Sequence, residues 1–443
     1  MSRLVLTTED LQRLRGELLQ SERETCAILY GRTVEVGGAL ARIIVRDIEV
    51  APTEAYAVRT GARVQLRPEF VAKAGQRARK TNESLVFVHT HPFSFNAFSA
   101  TDDSGELELA EFLKHRVPTA RHAALLLTPE VSIARELGRQ IPLRVMGVGK
   151  VLQFDETSDD SKVPLRYDRQ VRVFGAAAQR RLEKLRVGVV GLGGTGSVVV
   201  QELVHLGVRN LVLIDPDTVE ETNLNRIAGA TASDTGKYKV DVAERWAQQI
   251  NQGVTVESRR DDVINDQVAR SLADVDFVFC CTDSHGSRAV LNQVAYQYLV
   301  PVIDMGLVIV AGQKTITNIA GRVQLLAPGL ACLTCGNLLN AEQVRRDMLT
   351  EFERRSDPYI LGDVEPAPAV MSLNTTVAAL AVTMFLNTAA GVPGDARLLN
   401  YNAIVGTLRP ASVLPLPNCI VCSARGALAR GDEWPLAARR ANA

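Results

Sequence analysis

Four glycines in six residues, Gly191-Leu192-Gly193-Gly194-Thr195-Gly196, separate an apolar run at Arg186 to Val190 from an apolar-periodic run at Ser197 to Leu206. Such a run suits a chain that turns sharply from a buried strand into a helix, because glycines permit the turn and let phosphates approach the helix N-terminus. Asn210 to Asp215 reads as the next buried strand, and strand and helix patterns alternate onward through Val254, Val275 and Val302. That alternation predicts a doubly wound α/β sheet with crossover helices. Asp215 ends its strand about where a carboxylate would bond a ribose hydroxyl. These features alone also fit a nicotinamide-dependent dehydrogenase, whereas a Walker-type phosphate loop is excluded because no G-x-x-x-x-G-K-[ST] run occurs.

A chain of 443 residues is too long for one core and predicts more than one domain. Thr7-Thr8-Glu9-Asp10 caps a helix carrying Leu11, Leu14 and Leu18. Strand patterns follow at Cys26 to Tyr30, Ala41 to Val50 and Leu85 to His89, and helical ones near Pro68 to Lys80 and Ser99 to His115. An α+β domain over residues 1–150 is expected, then a polar linker over 151–164 that includes FDETSDDSK, a doubly wound domain over 165–425 and a loosely ordered tail over 426–443. The charged stretch 338–364 reads as a mobile excursion, and Ser372 to Thr388 as a long helix. Fifty basic and fifty acidic residues balance, which leaves no composition argument for a nucleic-acid or membrane-surface partner. With no signal-peptide core and no apolar stretch of bilayer length, a cytoplasmic location is expected.

His89-Thr90-His91 ends a strand pattern, so both imidazoles face one side and can share a metal. Pro92 breaks the strand, and Ser99-Ala100-Thr101-Asp102 opens a helix from which Asp102 can supply a third ligand. Three protein ligands and an open fourth position describe a catalytic zinc, and Glu24 is the candidate proton acceptor. Ser99-x-x-Asp102 is equally a helix-capping motif. Together, Glu24 in ETCAILYG, the HTHP run and SATD resemble the JAB1/MPN/Mov34 (JAMM) metalloprotease family across nearly the whole first domain. The resemblance implies zinc on His89, His91 and Asp102, Glu24 as general base, Ser99 as an oxyanion stabiliser, and cleavage of peptide or isopeptide bonds after the C-terminal glycine of ubiquitin or its relatives.

In the second domain Asn223-Leu224-Asn225-Arg226 and Lys239 supply donors for phosphate oxygens, and Asp283, in Cys281-Thr282-Asp283, can hold magnesium. With Tyr167-Asp168-Arg169-Gln170 and DPDTVEETNLNR, they resemble the ThiF/MoeB and ubiquitin-activating adenylyltransferase superfamily over roughly residues 165–425, which implies a Rossmann-like fold. It implies that ATP with Mg2+ lies on Gly191, Gly193, Gly194 and Gly196, with Asp215 and Asp217 on the nucleotide and Asn223, Arg226 and Lys239 on its phosphates. Asp283 would hold magnesium, and Arg169 would reach the γ-phosphate, of the other protomer if the chain is a homodimer. The reaction implied is attack of a C-terminal glycine carboxylate on the α-phosphate.

Cys332-Leu-Thr-Cys335 and Cys419-Ile-Val-Cys422 predict a structural zinc held by four thiolates. The family's thioester-forming members carry a crossover cysteine where this chain has Asp363, and no cysteine occurs between 336 and 418. Two further departures are Ile227 where glutamine is frequent and Ser284 where asparagine is frequent. Adenylation without a stable thioester is expected, the partner being a ubiquitin-like or sulfur-carrier protein ending in glycine. The acceptor expected for the adenylate is a conjugating-enzyme cysteine, a sulfur donor or another nucleophile. The fusion resembles those of prokaryotic ubiquitin-like modification systems, some linked to phage defence. A scaffold that binds such a protein without catalysis is the non-enzymatic alternative.

Overall fold

The computed structural model describes all residues except 94, 155–160, 313–314, 351, 354–367 and 440–443. The chain divides into two units, the first comprising Met1–Asp160, Gln297–Leu299 and Ala427–Pro435 and the second Ser161–Tyr296, Val300–Gly426 and Leu436–Ala443. None of the described helices is long and apolar enough to cross a membrane.

Unit 1 is built on one sheet in the order Arg3–Thr7, Ala39–Val50, Cys26–Val36, Ser84–Thr90, Ala123–Leu127, Ser132–Glu136, Pro142–Val148 and Gln153–Phe154. Arg3–Thr7 also pairs in parallel with Pro142–Val148, which closes the sheet into a ring. Its central strands, Ser84–Thr90, Ala123–Leu127 and the first half of Cys26–Val36, are buried on both faces and so read as nearly continuous apolar runs. One face packs Leu29, Val86 and Leu125 with Leu11, Leu14 and Leu18 of helix Thr8–Leu18. The other packs Ile28, Tyr30 and Phe87 with Ala74 and Ala78 of helix Pro68–Thr81 and with Leu113 of helix Ala100–Lys114.

Unit 2 is a sheet in the order Thr255–Arg259, Asn210–Ile214, Arg186–Val190, Phe277–Cys280, Val302–Gly312, Thr315–Leu326, Leu398–Asn402 and Thr407–Pro410. The first five are parallel and the last three antiparallel. The alternation of strand and helix predicts only the parallel part. Two residues between Val302–Gly312 and Thr315–Leu326 leave no room for a crossover helix, so the chain must return antiparallel. Strand order reverses beside Arg186–Val190, where its carboxyl end and that of Phe277–Cys280 open a crevice. Helix Met371–Ala389 contributes Phe385, whose ring meets Phe277 edge-on at 4.9 Å and Phe279 at 5.5 Å.

Some expected boundaries shift. Gln153–Phe154 pairs with Pro142–Val148 and so extends the first unit past residue 150, while the rest of the linker core, 155–160, lies outside the described residues. The expected excursion contains a helix, Ala341–Met348, and its residues 354–364 lie outside the described residues. The tail is not loose through residue 439. Glu433 pairs with Arg32 at 2.9 Å within unit 1, and Arg439 N donates to Ile264 O at 2.7 Å within unit 2. These anchors are polar and isolated, which is why apolar periodicity did not announce them.

Phe385→Ala, which empties a fully buried aromatic cluster, is expected to lower stability by about 3–5 kcal/mol. A urea-unfolding midpoint shifted well beyond that of Phe385→Leu is the measurement.

Candidate functional sites

His89 and His91 stand two residues apart in extended backbone, and His91 N still donates to Leu127 O at 3.0 Å, so both rings emerge on one side 5.0 Å apart. Asp102 is brought to them by a capping box. Ser99 Oγ accepts from Asp102 N at 3.2 Å, while Asp102 Oδ2 accepts from Ser99 N and Oγ, each at 2.7 Å. Asp102 Oδ1 then lies 3.3 Å from His89 Nε2, and Oδ2 lies 3.7 Å from His91 Nε2. The two readings of Ser99-x-x-Asp102 are therefore compatible, since the cap is what aims the carboxylate.

The donor set suits a divalent cation. One ligand atom from each of the three residues lies within 4.8 Å of the others. His89 Nε2 is buried without a hydrogen-bond partner. His91 Nδ1 is 2.9 Å from Phe95 O, and because a carbonyl only accepts, Nδ1 carries the proton and Nε2 keeps its lone pair in the neutral ring. Burial alone would raise the Asp102 pKa, but the two imidazoles outweigh it and hold the carboxyl far below the usual range. Burial would lower His91, and the hydrogen bond to Asp102 instead raises it. Two imidazoles and a carboxylate with room for a fourth ligand match a zinc site of the open kind.

Cys26 pairs with His89 across the antiparallel ladder, so the register carried two residues further sets Glu24 opposite His91. Glu24 is held by its backbone, with N donating to Thr60 O at 2.8 Å and Arg59 Nε donating to its carbonyl at 3.2 Å. Its carboxyl is buried, which pushes its pKa up against the opposing pull of His91 and His89. A groove of about 600 Å³ opens beside His89 and Asp102, walled by Val64, Leu66, Phe87, Leu109 and Phe112. Sequence reasoning missed Arg135, which grips both carboxylate oxygens of Glu106 at 3.1 and 3.0 Å and stacks 3.8 Å over Phe98. Phe98 in turn lies 5.9 Å from the His89 ring.

In unit 2 the glycine loop and the carboxyl ends of the two neighbouring strands enclose a cleft of about 480 Å³. Gly191, Gly193, Gly194, Asp215, Asp217, Arg226, Lys239 and Asp283 all line it. A side chain on Gly196 would meet Gly191 O at 1.8 Å, whereas one on Gly193 would meet nothing within 4 Å. The first glycine packs the loop, and the second leaves open space where a phosphate could approach. Asp215 is buried, and its two oxygens accept from Leu192 N at 2.6 Å and Asp217 N at 2.9 Å. Burial pushes its pKa up, opposed first by Lys239. Lys239 Nζ pairs with Asp217 Oδ2 at 2.7 Å, and Arg226 is tied to Thr222 O at 2.6 Å.

Three expected residues stand apart from the cleft wall. Gly196 is packed under the loop against Gly191 O. Asn223 is buried and closes its own turn, accepting from Glu220 N at 3.3 Å. Arg169 is exposed on helix Asp168–Lys184. Conversely, sequence reasoning missed Arg288 and Asn374, which both line the cleft. Arg288 donates to Thr282 O at 3.3 Å and Met305 O at 3.1 Å beside the fully buried Asp304. Asn374 packs where a side chain on Gly194 would stand, and among the other polar residues of its helix, Ser372, Thr375 and Thr376, nothing in the sequence sets it apart.

The four paired cysteines converge. Their sulfurs are 3.6 Å apart for Cys332 and Cys335, 3.5 Å for Cys332 and Cys419, and 3.4 Å for Cys335 and Cys422. Those separations are too long for disulfides and close to the roughly 3.7 Å between thiolates around a tetrahedral zinc. Leu416 N donates to Cys335 Sγ at 3.3 Å. Cys26, Cys280 and Cys281 lie outside this cluster, and burial drives each of their thiols well above its ordinary pKa. The expected crossover position, Asp363, lies outside the described residues.

Residues 167–421 match the ThiF family model, and residues 11–133 match the model of prokaryotic homologs of the JAB domain. The molybdopterin-synthase adenylyltransferase of Escherichia coli K12 is 28% identical over 260 residues, 58% of this chain and 96% of that protein. The SAMP-activating enzyme E1 of Haloferax volcanii is 29% identical over 265 residues, 59% of this chain and 89% of that protein. The adenylyltransferase and sulfurtransferase UBA4 of Meyerozyma guilliermondii is 33% identical over 156 residues, 34% of this chain, which spans only 37% of that relative's length. A crystal structure of E. coli MccB with MccA-N7isoASN aligns with 90% of this chain and 100% of its own at 17% identity and a TM-score of 0.48.

Metal analysis of the full chain is expected to give about two zinc equivalents. Cys335→Ser and His91→Ala should each remove about one, and the double variant both.

Proposed function

Because this chain belongs to the ThiF family and carries a domain of the prokaryotic JAB type, we propose that it activates the C-terminal glycine of a ubiquitin-like protein with ATP and trims or releases such a protein with its first unit. One observation carries the reading. Loop glycines, Asp215, Arg226, Lys239 and Asp283, spread over more than ninety positions of sequence, line a single cleft. In that cleft a glycine carboxylate oxygen bonds to the α-phosphorus, pyrophosphate leaves, and an acyl-adenylate remains. A carboxylate is already ionised, so no protein base is required, and the task of Arg226 and Lys239 is to hold and neutralise phosphate oxygens. Asp283, exposed at the cleft rim, would hold magnesium, which supplies charge neutralisation when bound.

Cys26 and Cys280 are buried and Cys281 is partly so at the cleft wall, and desolvation raises all three thiols above their ordinary pKa, which supports adenylation without a thioester on this chain. The adenylate then passes to a conjugating enzyme or to a sulfur donor. Arg169 is exposed and does not line its own cleft, so the role that the family resemblance gives it calls for the cleft of a second copy, and a homodimer is part of the proposal.

In unit 1, His89, His91 and Asp102 would hold zinc, which when bound supplies Lewis-acid polarisation of a carbonyl. Ser99 fixes Asp102, Phe95 O fixes the His91 tautomer, and Glu24 takes and returns the proton. The apolar groove beside His89 suits an extended chain leading to the scissile bond.

The test mixes the full chain carrying His91→Ala with magnesium-ATP and a ubiquitin-like protein ending in glycine, followed by intact mass. An AMP-tailed partner with no adduct on the chain is expected, and Lys239→Ala or Arg226→Ala should slow its formation by about 10²–10³-fold. A thiol-labile adduct on the chain would overturn the absence of a thioester. Adenylate formation unchanged by either cation variant would overturn the site assignment. A thiocarboxylate with a sulfide source, against an isopeptide adduct with a conjugating enzyme, separates the two fates.

A further inference from the structure

The helix that follows the first thiol pair is fastened at both ends to the turn that carries Asp283. At its start Asn340 N donates to His285 Nδ1 at 3.2 Å, and near its end Asp347 Oδ2 accepts from Ser284 Oγ at 2.9 Å and Gly286 N at 2.8 Å. Gly286 makes the approach possible, since a Cβ there would stand 2.7 Å from Asp347 Cβ. Ser284 is the hub of the turn. Its N–H donates to Thr282 Oγ1 at 3.2 Å, its hydroxyl accepts from Ser287 N at 3.1 Å, and its carbonyl accepts from Arg288 N at 3.2 Å. The turn runs into helix His285–Gln297, whose first amides lack intrahelical acceptors and favour a negative charge. Asp347 supplies both, from 61 residues away in sequence.

We propose that Asp347 is a positioning residue of the adenylation site, an inference that rests on the function proposed above. It does not line the cleft; it acts through Ser284 and Gly286 on the neighbouring Asp283. The departure from the family's usual asparagine at 284 has a role here, because the serine hydroxyl is what donates to Asp347. Cation binding at Asp283 and order in helix Ala341–Met348 are thereby linked, and linkage is reciprocal: each strengthens the other.

The experiment measures ATP binding to the full chain by calorimetry at varied Mg2+, and hydrogen exchange over residues 341–348 with and without magnesium-ATP. Asp347→Ala is expected to raise the Mg2+ needed for half-maximal binding by about five- to tenfold. Asp347→Asn, whose amide oxygen still accepts both bonds, should stay within about twofold of wild type. Helix 341–348 should gain protection from magnesium-ATP in wild type and lose that gain in Asp347→Ala. If Asp347→Ala fails to fold, Ser284→Ala removes one of the two donors and should shift the Mg2+ dependence in the same direction by about threefold. A lowered melting temperature with unchanged Mg2+ dependence would mark a merely structural contact and overturn the inference, leaving adenylation intact. Failure of the wild-type chain to bind ATP at all would overturn both.

Discussion

The buried carboxylate of Asp215 ties together two pieces of backbone that would otherwise be independent. One oxygen accepts from Leu192 N in the glycine loop and the other from Asp217 N, where the chain turns toward Lys239. Each is a charge-assisted bond in a site shielded from water, where an unmet amide would be costly. The loop is pressed from the other side by Cys281, whose backbone would lie 2.9 Å from any Cβ on Gly191. The conformation of the cleft floor is thus set by strand ends on both sides, before any side chain that would contact phosphate is considered.

Unit 1 reaches a comparable rigidity with β register in place of a helix-capped loop. Cross-strand pairing of Cys26 with His89 decides where Glu24 falls, and a one-residue slip would turn His89 and His91 to the opposite face. The ring closure through Arg3–Thr7 makes such a slip expensive, because a closed sheet has no free edge along which to slide. Asp102 arrives from a different element, yet its freedom is removed by Ser99 through three short hydrogen bonds. His89, His91 and Asp102 therefore meet with little left to order.

Much of this was legible in residue order because the chemistry is local. The histidine pair, the Ser99 to Asp102 cap, the glycine loop and the two cysteine pairs all occur within runs of six residues or fewer, and the structure places the two histidines beside Asp102 and the four cysteines beside one another. What stayed hidden was long-range. Arg135 meets Glu106 across 29 residues, and Asp347 meets Gly286 across 61, and no periodicity marks either pair. Asn223 was misplaced for a related reason: a polar side chain beside a turn can serve the turn, and this one closes Glu221–Asn223. The antiparallel half of the second sheet was invisible to an argument from alternation, since it is set by the shortness of one connection.

The fastening of the chain's end has a consequence for synthesis. Unit 1 recruits Ala427–Pro435, where Glu433 meets Arg32 and the backbone of Gly431 packs beside Val34. A ribosome completes residues 1–160 long before it reaches those contacts, about 270 residues later, which at ordinary elongation rates is roughly 15 to 50 s. During that interval the ring of strands lacks part of its packing, so unit 1 is the first to begin folding and among the last to finish.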